Sequence, residues 1–259
     1  MLGYACASHF LNDEKYTTHV SMRKSYPDKR FFVFDVDDPT TWDNIPACDY
    51  VINCIGLIKH DVSATRDRLF KVNATFVSDL AAWCSSNFAR MIHISTDSVF
   101  SGDKGMYVET DIPDPVDVYG ESKLAGEGSS FMCIRTSTIG EEIRGKLCIL
   151  EWLKEQSRQK KPVNGFINQF WNGMTAKEYA KMCDRIITDH LYVKGIRHVY
   201  TNVMTKYELI IELNKKFDLN LTVNPVFLDT KIDRTLISEY DTNRKLKIPT
   251  LKQMIGDLR

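Results

Sequence analysis

An excess of charge of either sign is missing from this 259-residue chain: 34 Lys and Arg face 34 Asp and Glu, for a formal net charge of zero. With no global field to gather nucleic acid or an anionic membrane surface, neither is expected as a partner, and any anionic ligand must be held by a local site. Long apolar runs are missing too. No uncharged stretch approaches the roughly 18 residues of a membrane span. The opening Met1-Leu2-Gly3-Tyr4-Ala5-Cys6-Ala7 is too short for the apolar part of a signal peptide before Asp13, Glu14 and Lys15 arrive. The seven cysteines (Cys6, Cys48, Cys54, Cys84, Cys133, Cys148 and Cys183) include no Cys-x-x-Cys pair and, with the six histidines, no zinc-ligand spacing. Their odd number suits reduced thiols in a cytoplasmic protein without a metal or a disulfide framework. There is no internal repeat and no low-complexity segment.

What remains is an ordinary globular composition, 43% hydrophobic and 26% charged, which excludes wholesale disorder. The length suits one large α/β unit or a nucleotide-binding core with a small appended lobe. In the first half, short apolar runs alternate with amphipathic ones, the pattern of parallel strands joined by helices. Strands are expected at 18–22, 31–36, 50–55, 91–95 and 132–136, and helices at 3–11, 69–85 and 120–126. Leu69, Val72, Phe76, Leu80 and Trp83 recur every three or four residues as one core stripe. The run Tyr50-Val51-Ile52-Asn53-Cys54-Ile55 is apolar almost throughout, as in a doubly wound parallel sheet with helices on both faces. Ligands of such sheets bind beyond the carboxyl ends of the strands. After about residue 138 the alternation gives way to helices at 147–159, 176–189, 206–217 and 251–258, with one apolar run, 196–200, able to return to the sheet.

Two polar features stand at strand ends. Tyr119 and Lys123, four apart at a helix start, lie on one face. An ammonium beside a phenol favours phenolate, so the pair is expected to bring the tyrosine below its usual pKa near 10 and to exchange protons with a carbonyl or hydroxyl; an ordinary surface pair is the alternative. The run 91–95 ends in Thr96-Asp97-Ser98-Val99-Phe100, which places a hydroxyl at the crevice or simply builds a turn.

The segments Ile94-Ser95-Thr96-Asp97-Ser98-Val99-Phe100-Ser101-Gly102 and Val118-Tyr119-Gly120-Glu121-Ser122-Lys123-Leu124-Ala125-Gly126-Glu127 resemble the extended short-chain dehydrogenase/reductases, and within them the dTDP-4-dehydrorhamnose reductase-like branch. Val51 to Gly56, Val72-Asn73, Arg135-Thr136-Ser137, Gly165-Phe166 and Trp171-Asn172-Gly173-Met174-Thr175 follow in the family's order, so the resemblance covers nearly the whole chain. It implies a Rossmann-like NAD(P)-binding domain over 1–137, with a return strand near 196–202, and a small C-terminal α/β substrate-binding lobe over 138–259.

The resemblance further implies that Tyr119 protonates the C4 oxygen of a sugar as hydride arrives from the nicotinamide. Lys123 would lower the tyrosine pKa and hold the nicotinamide ribose, and Thr96 would bond the substrate oxygen. Asn53, Cys54, Ile55 and Gly56 would pass the adenosine ribose and diphosphate, and Asp35-Val36 would meet the adenine. Asn73 would support the lysine or make a local backbone bond. Asp97, Val99, Trp171 and Asn172 would join Thr96 and Tyr119 at the substrate, with a core position as the alternative for Trp171. Arg23, followed by Lys24, stands where a 2'-phosphate could be gripped, which favours NADP (as NADPH) over NAD.

The expected activity is therefore NAD(P)H-dependent reduction of the C4 keto group of a 4-keto-6-deoxy nucleotide sugar, in deoxysugar biosynthesis, with a homodimer left open. The alternatives are a nucleotide-sugar epimerase or dehydratase of the superfamily, or a non-catalytic NADP-binding regulatory subunit. Ser98 stands where dehydratases usually carry Glu, which counts against elimination. Of the family's Gly-x-x-Gly-x-x-Gly phosphate loop, Met1-Leu2-Gly3 resembles only the end, with Gly3 as its last glycine. This implies that Met1 is an internal methionine or that the sequence is truncated.

Overall fold

The computed structural model describes residues 1–58, 61, 63–142 and 148–258. Its first half runs α1 (Leu2–Phe10), β1 (Val20–Met22), β2 (Phe31–Val33), β3 (Tyr50–Asn53), α2 (Arg66–Phe70), α3 (Phe76–Ser86), β4 (Arg90–Ile94), α4 (Val118–Ala125) and β5 (Met132–Arg135). The second half adds β6 (Thr138–Ile139), α5 (Ile149–Arg158), β7 (Val163–Phe166), β8 (Gln169–Trp171), β9 (Met174–Thr175), α6 (Ala176–Thr188) and β10 (Gly195–His198). It ends with β11 (Met204–Thr205), α7 (Lys206–Lys216), β12 (Val223–Val226), β13 (Ile232–Asp233), α8 (Thr242–Leu246) and α9 (Leu251–Gly256).

Four strands form an all-parallel sheet in the order β10-β5-β4-β3. Successive residues of these strands serve opposite faces, because side chains alternate across a pleat. Ile52, Ile92, Ile94, Met132 and Ile134 join a cluster with Cys6 and Phe10 of α1 and Tyr179, Cys183 and Ile186 of α6. Val51, Met91 and Cys133 join Phe76, Val77 and Leu80 of α3 on the other face. Helices on both faces explain why these strands are apolar throughout. The α1 cluster continues through Leu150 and Leu153 of α5, Trp171, and Leu209 and Leu213 of α7, so sheet and lobe share one core.

Several elements are shorter than their apolar periods. The second strand stops at Val33 instead of reaching residue 36, because Thr41 Oγ1 accepts from the Asp35 N–H and donates to the Asp35 carbonyl, pulling the chain into a turn. β1 and β2 pair in parallel with each other as a separate two-stranded sheet, anchored through Phe34 and Trp42 on the α3 face. The 69–85 stripe is interrupted by a π-helical turn, Lys71–Thr75. Its Leu69, Val72, Phe76 and Leu80 are buried, while Trp83 is half-exposed and Cys84 takes the inner position. The helix expected at 147–159 is α5, and Leu147 itself lies outside the described residues. In the lobe, β8 lies between antiparallel β11 and parallel β13, while β12 pairs with β7 and β6 with β9. Among the described residues no helix is long and apolar enough to cross a membrane.

Candidate active site

The site forms where β3, β4 and β5 end and α4 begins. Asp117 caps α4 by accepting from the Gly120 N–H at 2.8 Å. A Cβ on Gly120 would stand 2.3 Å from the Ser98 carbonyl oxygen. Only glycine therefore lets the first turn of α4 lie against the loop after β4. That loop is a short 3-10 turn, Asp97–Val99, capped by Thr96, whose Oγ1 accepts from the Ser98 N–H at 3.2 Å. The same close approach brings Thr96 against Tyr119.

One turn further on, Lys123 is 4% exposed and donates from Nζ to the Ile94 carbonyl at 2.6 Å. An ammonium has three N–H donors, and this is the one bond it makes among the described residues. Burial lowers the Lys123 pKa from its usual value to about 8. Burial also pushes the Tyr119 phenol up to about 12, and contact with Thr96 offsets only part of that. The expected lysine-driven fall in the tyrosine pKa is thus corrected: desolvation, with Asp97 and Asp117 nearby, raises the phenol, which favours its neutral form. Asp97, nearly buried, is raised above the usual carboxylate value by desolvation, against the pull of Lys206, Arg234, Thr96 and Ser98.

Among the described residues Asn73 makes no hydrogen bond to Lys123. Its Oδ1 accepts from the Leu57 N–H, and its Nδ2 donates to the Leu57 carbonyl and to Ser122 Oγ, which ties the loop after β3 to α4. The π-turn that contains it also brings its carbonyl so close to α4 that a Cβ on Gly126 would lie 1.9 Å away. Asn73 thus sets the height of α4, and with it Tyr119 and Lys123.

The remaining expected residues divide by what their atoms are doing. Gly3 of α1 lies over Cys54, 3.5 Å from its Cβ to the position a Gly3 Cβ would take, and Gly56 lies against Asn73. Asn53 spends its amide on the Ile55 N–H and on His93 Nδ1, and Ile55 packs in the core, so both shape the loop and leave no free polar side-chain atom. Arg23 is exposed at the end of β1, near enough to influence Asp61 across the crevice edge. Asp35 accepts from the Asp37 N–H, and Val36 is half-buried on the α3 face.

Three further expected substrate residues have buried side chains. Val99 is fully buried beneath Phe100 and Tyr107. Trp171 is 3% exposed in the main core, because the lobe closes over it. Asn172 uses both ends of its amide on the Leu236 backbone. Val99 carries no polar side-chain atom, and Asn172 has spent both of its own on the Leu236 backbone.

The structure also brings in residues that spacing could not connect. Lys206 at the start of α7 and Arg234 after β13 both act on Asp97, and a bidentate Glu127–Arg135 pair lies beneath the site. Arg135 Nε and Nη2 donate to the two Glu127 carboxylate oxygens at 2.9 and 2.7 Å, while Ser95 Oγ donates to the same carboxylate. Arg135 also lies over the Phe100 ring and donates from Nη1 to His198 Nε2, and His198 Nδ1–H points to the Tyr107 and Ile237 carbonyls. This polar chain links the end of β4 to the C-terminal segment. Its members lie up to 142 residues apart, from Ser95 to Ile237, so no local motif announces it.

Burial holds His198 below its usual pKa, and holds His93, beside Lys123, well below it. Both imidazoles are therefore favoured neutral in the folded protein. Their contribution to stability is full above the unfolded value near 6.5 and is lost as pH falls below it. The midpoint of urea unfolding is expected to drop between pH 7 and pH 5, and His93→Gln to flatten that slope; an equally steep slope in the variant would contradict the assignment.

A parallel sheet wound on both faces by helices, with a Tyr-x-x-x-Lys helix laid against the strand-end threonine, is the architecture of the extended short-chain dehydrogenase/reductases. Known proteins carry the assignment further. The family model described as RmlD substrate binding domain matches residues 11–244. The dTDP-4-dehydrorhamnose reductase of Mycobacterium tuberculosis strain H37Rv is 41% identical over 101 residues, which cover 36% of this chain and 33% of that protein. The dTDP-4-dehydrorhamnose reductase of Escherichia coli strain K12 is 32% identical over 170 residues, covering 59% of this chain and 55% of that protein. The matches thus span about a third and about half of these relatives' lengths. A crystal structure of dTDP-4-dehydrorhamnose reductase from Bacillus anthracis in complex with NADP has the same fold, with a TM-score of 0.75 at 19% identity over 97% of this chain and 92% of that one. The chain belongs to the RmlD substrate binding domain family, in the dTDP-4-dehydrorhamnose reductase-like branch of the superfamily.

Proposed function

We propose that this chain forms the catalytic and substrate-binding part of a cytoplasmic reductase that converts the C4 ketone of a 4-keto-6-deoxy nucleotide sugar to an alcohol with NADPH. The observation that carries this reading is the packing of α4 on the loop after β4, which sets Tyr119 beside Thr96 and leaves Lys123, one turn on, with donors unused among the described residues at the strand ends. The reductases of the same family named above support the substrate class.

The residues present fit the nicotinamide half of a dinucleotide. A nearly buried ammonium with two N–H groups to spare suits the hydroxyls of a ribose, and Arg23 at the end of β1 suits a 2'-phosphate. Gly3, Cys54 and Gly56 line the approach. When bound, the cofactor supplies the hydride.

This chain's part is protonic and electrostatic. Thr96 orients the ketone oxygen toward the Tyr119 hydroxyl. Tyr119, neutral because it is buried, gives its proton to that oxygen as negative charge develops there. The Lys123 charge then stabilises the phenolate left behind, an effect strengthened by the dry surroundings that raise the phenol pKa.

Lys123 loses its proton as pH rises through about 8. Accordingly, kcat/KM for NADPH, measured by NADPH oxidation in the presence of a dTDP-4-keto-6-deoxy sugar, is expected to fall on the alkaline side with a midpoint near that value. Lys123→Arg, charged throughout, should lose that limb. A profile flat to pH 10 in the original protein would overturn the role given to Lys123, and absence of any oxidation would overturn the reductase reading.

A further inference from the structure

Cys6 and Cys54 come from two elements that meet at the approach assigned to the dinucleotide. Cys6 lies in α1 and is 6% exposed, whereas Cys54 follows β3 and is half-buried. The Cys54 thiol donates to Cys6 Sγ at 3.7 Å. Cys183 of α6, fully buried, adjoins Cys6 in turn and stands beside the Tyr179 ring. Three thiols thus run from the strand end into the core, and all seven cysteines of the chain are free. The reduction proposed above gives none of these sulfurs a chemical task.

Two sulfurs at 3.7 Å are already in contact, and a disulfide asks them to close to about 2.0 Å. What holds them apart is protonation. The contact with Cys6, together with burial, raises the Cys54 thiol well above its usual value, and Cys6 is raised by its contact with Cys183 and by burial. Because the thiolate is the nucleophile, the pair resists casual oxidation at neutral pH and becomes more reactive as pH rises. Cys54, the half-buried member, is the sulfur that a small oxidant from solvent reaches first. Cys6, in contact behind it, is the sulfur placed to resolve the product.

We propose that Cys54 and Cys6 form a dithiol site for hydroperoxides, whose closure to a disulfide shuts the approach used by the cofactor. The coupling to the cofactor rests on the reading of that approach as a dinucleotide crevice. Cys54 attacks the peroxide, the O–O bond breaks, and Cys54 becomes a sulfenic acid while the leaving oxygen takes a proton. Cys6 then attacks the Cys54 sulfur, the S–O bond breaks, and the hydroxyl leaves as water with the Cys6 proton. Two thiols give up two electrons and two protons, and hydrogen peroxide takes them up as two waters. The closed bond draws Cys54 toward α1. Cys54 stands between Asn53, which holds the Ile55 N–H, and Gly56, which lies against Asn73. Asn73 in turn binds Leu57 and Ser122, so the displacement reaches α4 as well as the path of the dinucleotide.

The test treats the folded protein with hydrogen peroxide, maps its cysteine peptides by mass spectrometry, and titrates NADPH before oxidation, after it, and after dithiothreitol. A peptide linking Cys6 to Cys54 should appear, faster at pH 9 than at pH 7. NADPH should then bind about tenfold more weakly or worse, and reduction should restore its affinity. Cys6→Ala, confirmed by its melting midpoint to be folded, should bind NADPH as the reduced original does and should lose both the link and the peroxide effect. Cys183→Ala should keep both.

A link through Cys183, oxidation of Cys54 without any link, or a linked protein with unchanged NADPH affinity would overturn the dithiol switch alone. A Cys6→Ala variant as sensitive to peroxide as the original would do the same. Reversible loss of NADPH affinity in a protein that reduces no keto sugar would uphold the switch and refute the reductase reading. A reduced protein that bound no NADPH would overturn both.

Discussion

Replacing Tyr119 by Phe is expected to lower kcat for reduction of a 4-keto-6-deoxy nucleotide sugar roughly 100- to 10,000-fold, the usual range for loss of a positioned proton donor. NADPH affinity and melting temperature should barely move. The phenol hydroxyl is raised to about 12 by burial and lies beside Thr96, so its removal takes away the proton while the ring continues to fill its place. The neutral state matters here. A phenolate could not protonate the ketone oxygen, whereas a phenol kept neutral by desolvation can do so throughout the neutral range. Lys123 acts after the transfer, on the anion that results. A Tyr119→Phe variant that turned over as fast as the original protein would remove the tyrosine from the reaction.

A second large effect is expected away from the reacting groups. Glu127 and Arg135 are 4% and 2% exposed at their side chains and share two parallel hydrogen bonds. Glu127→Gln leaves the Arg135 guanidinium buried without its anion, beside a His198 that burial keeps neutral. The cost should be about 3–5 kcal/mol. At about 2–4 °C per kcal/mol for a chain of this size, the melting midpoint should fall by roughly 6–20 °C. The double variant Glu127→Leu/Arg135→Met, which removes both charges and keeps much of the volume, should recover most of that loss. Calorimetry or urea unfolding of the three proteins decides it. A single variant within about 1 kcal/mol of the original would mean that water reaches the pair.

These two effects sit on opposite sides of what the sequence made legible. The apolar runs of β3, β4 and β5 announced a sheet covered on both faces, and Tyr119 and Lys123 announced themselves by their spacing and by their place after a strand with a terminal hydroxyl. Local pattern could not convey depth. Tyr119 and Lys123 read as a pair in which the lysine charge would lower the phenol pKa, and burial reverses that direction. Trp171 and Asn172 carried a recognisable motif, yet the motif describes how the lobe closes, with the indole in the core and the amide spent on Leu236. Lys206 opened an expected helix and Arg234 lay in a stretch with no periodic signal, each more than a hundred residues from Asp97, and only the path of α7 and β13 brings them to it. The π-turn at Asn73 was likewise invisible, because its apolar stripe keeps helical spacing through Val72 and Phe76.

The central claim is that this site delivers hydride to C4 of a keto sugar and a proton from Tyr119 to its oxygen. The most direct measurement uses NADPH deuterated at the transferred position with a dTDP-4-keto-6-deoxy sugar, followed by NMR of the product. The account predicts deuterium at sugar C4 in a single configuration, formed by the original protein and nearly absent with Tyr119→Phe. Product without deuterium at C4, or equal labelling by the Tyr119→Phe variant, would contradict it.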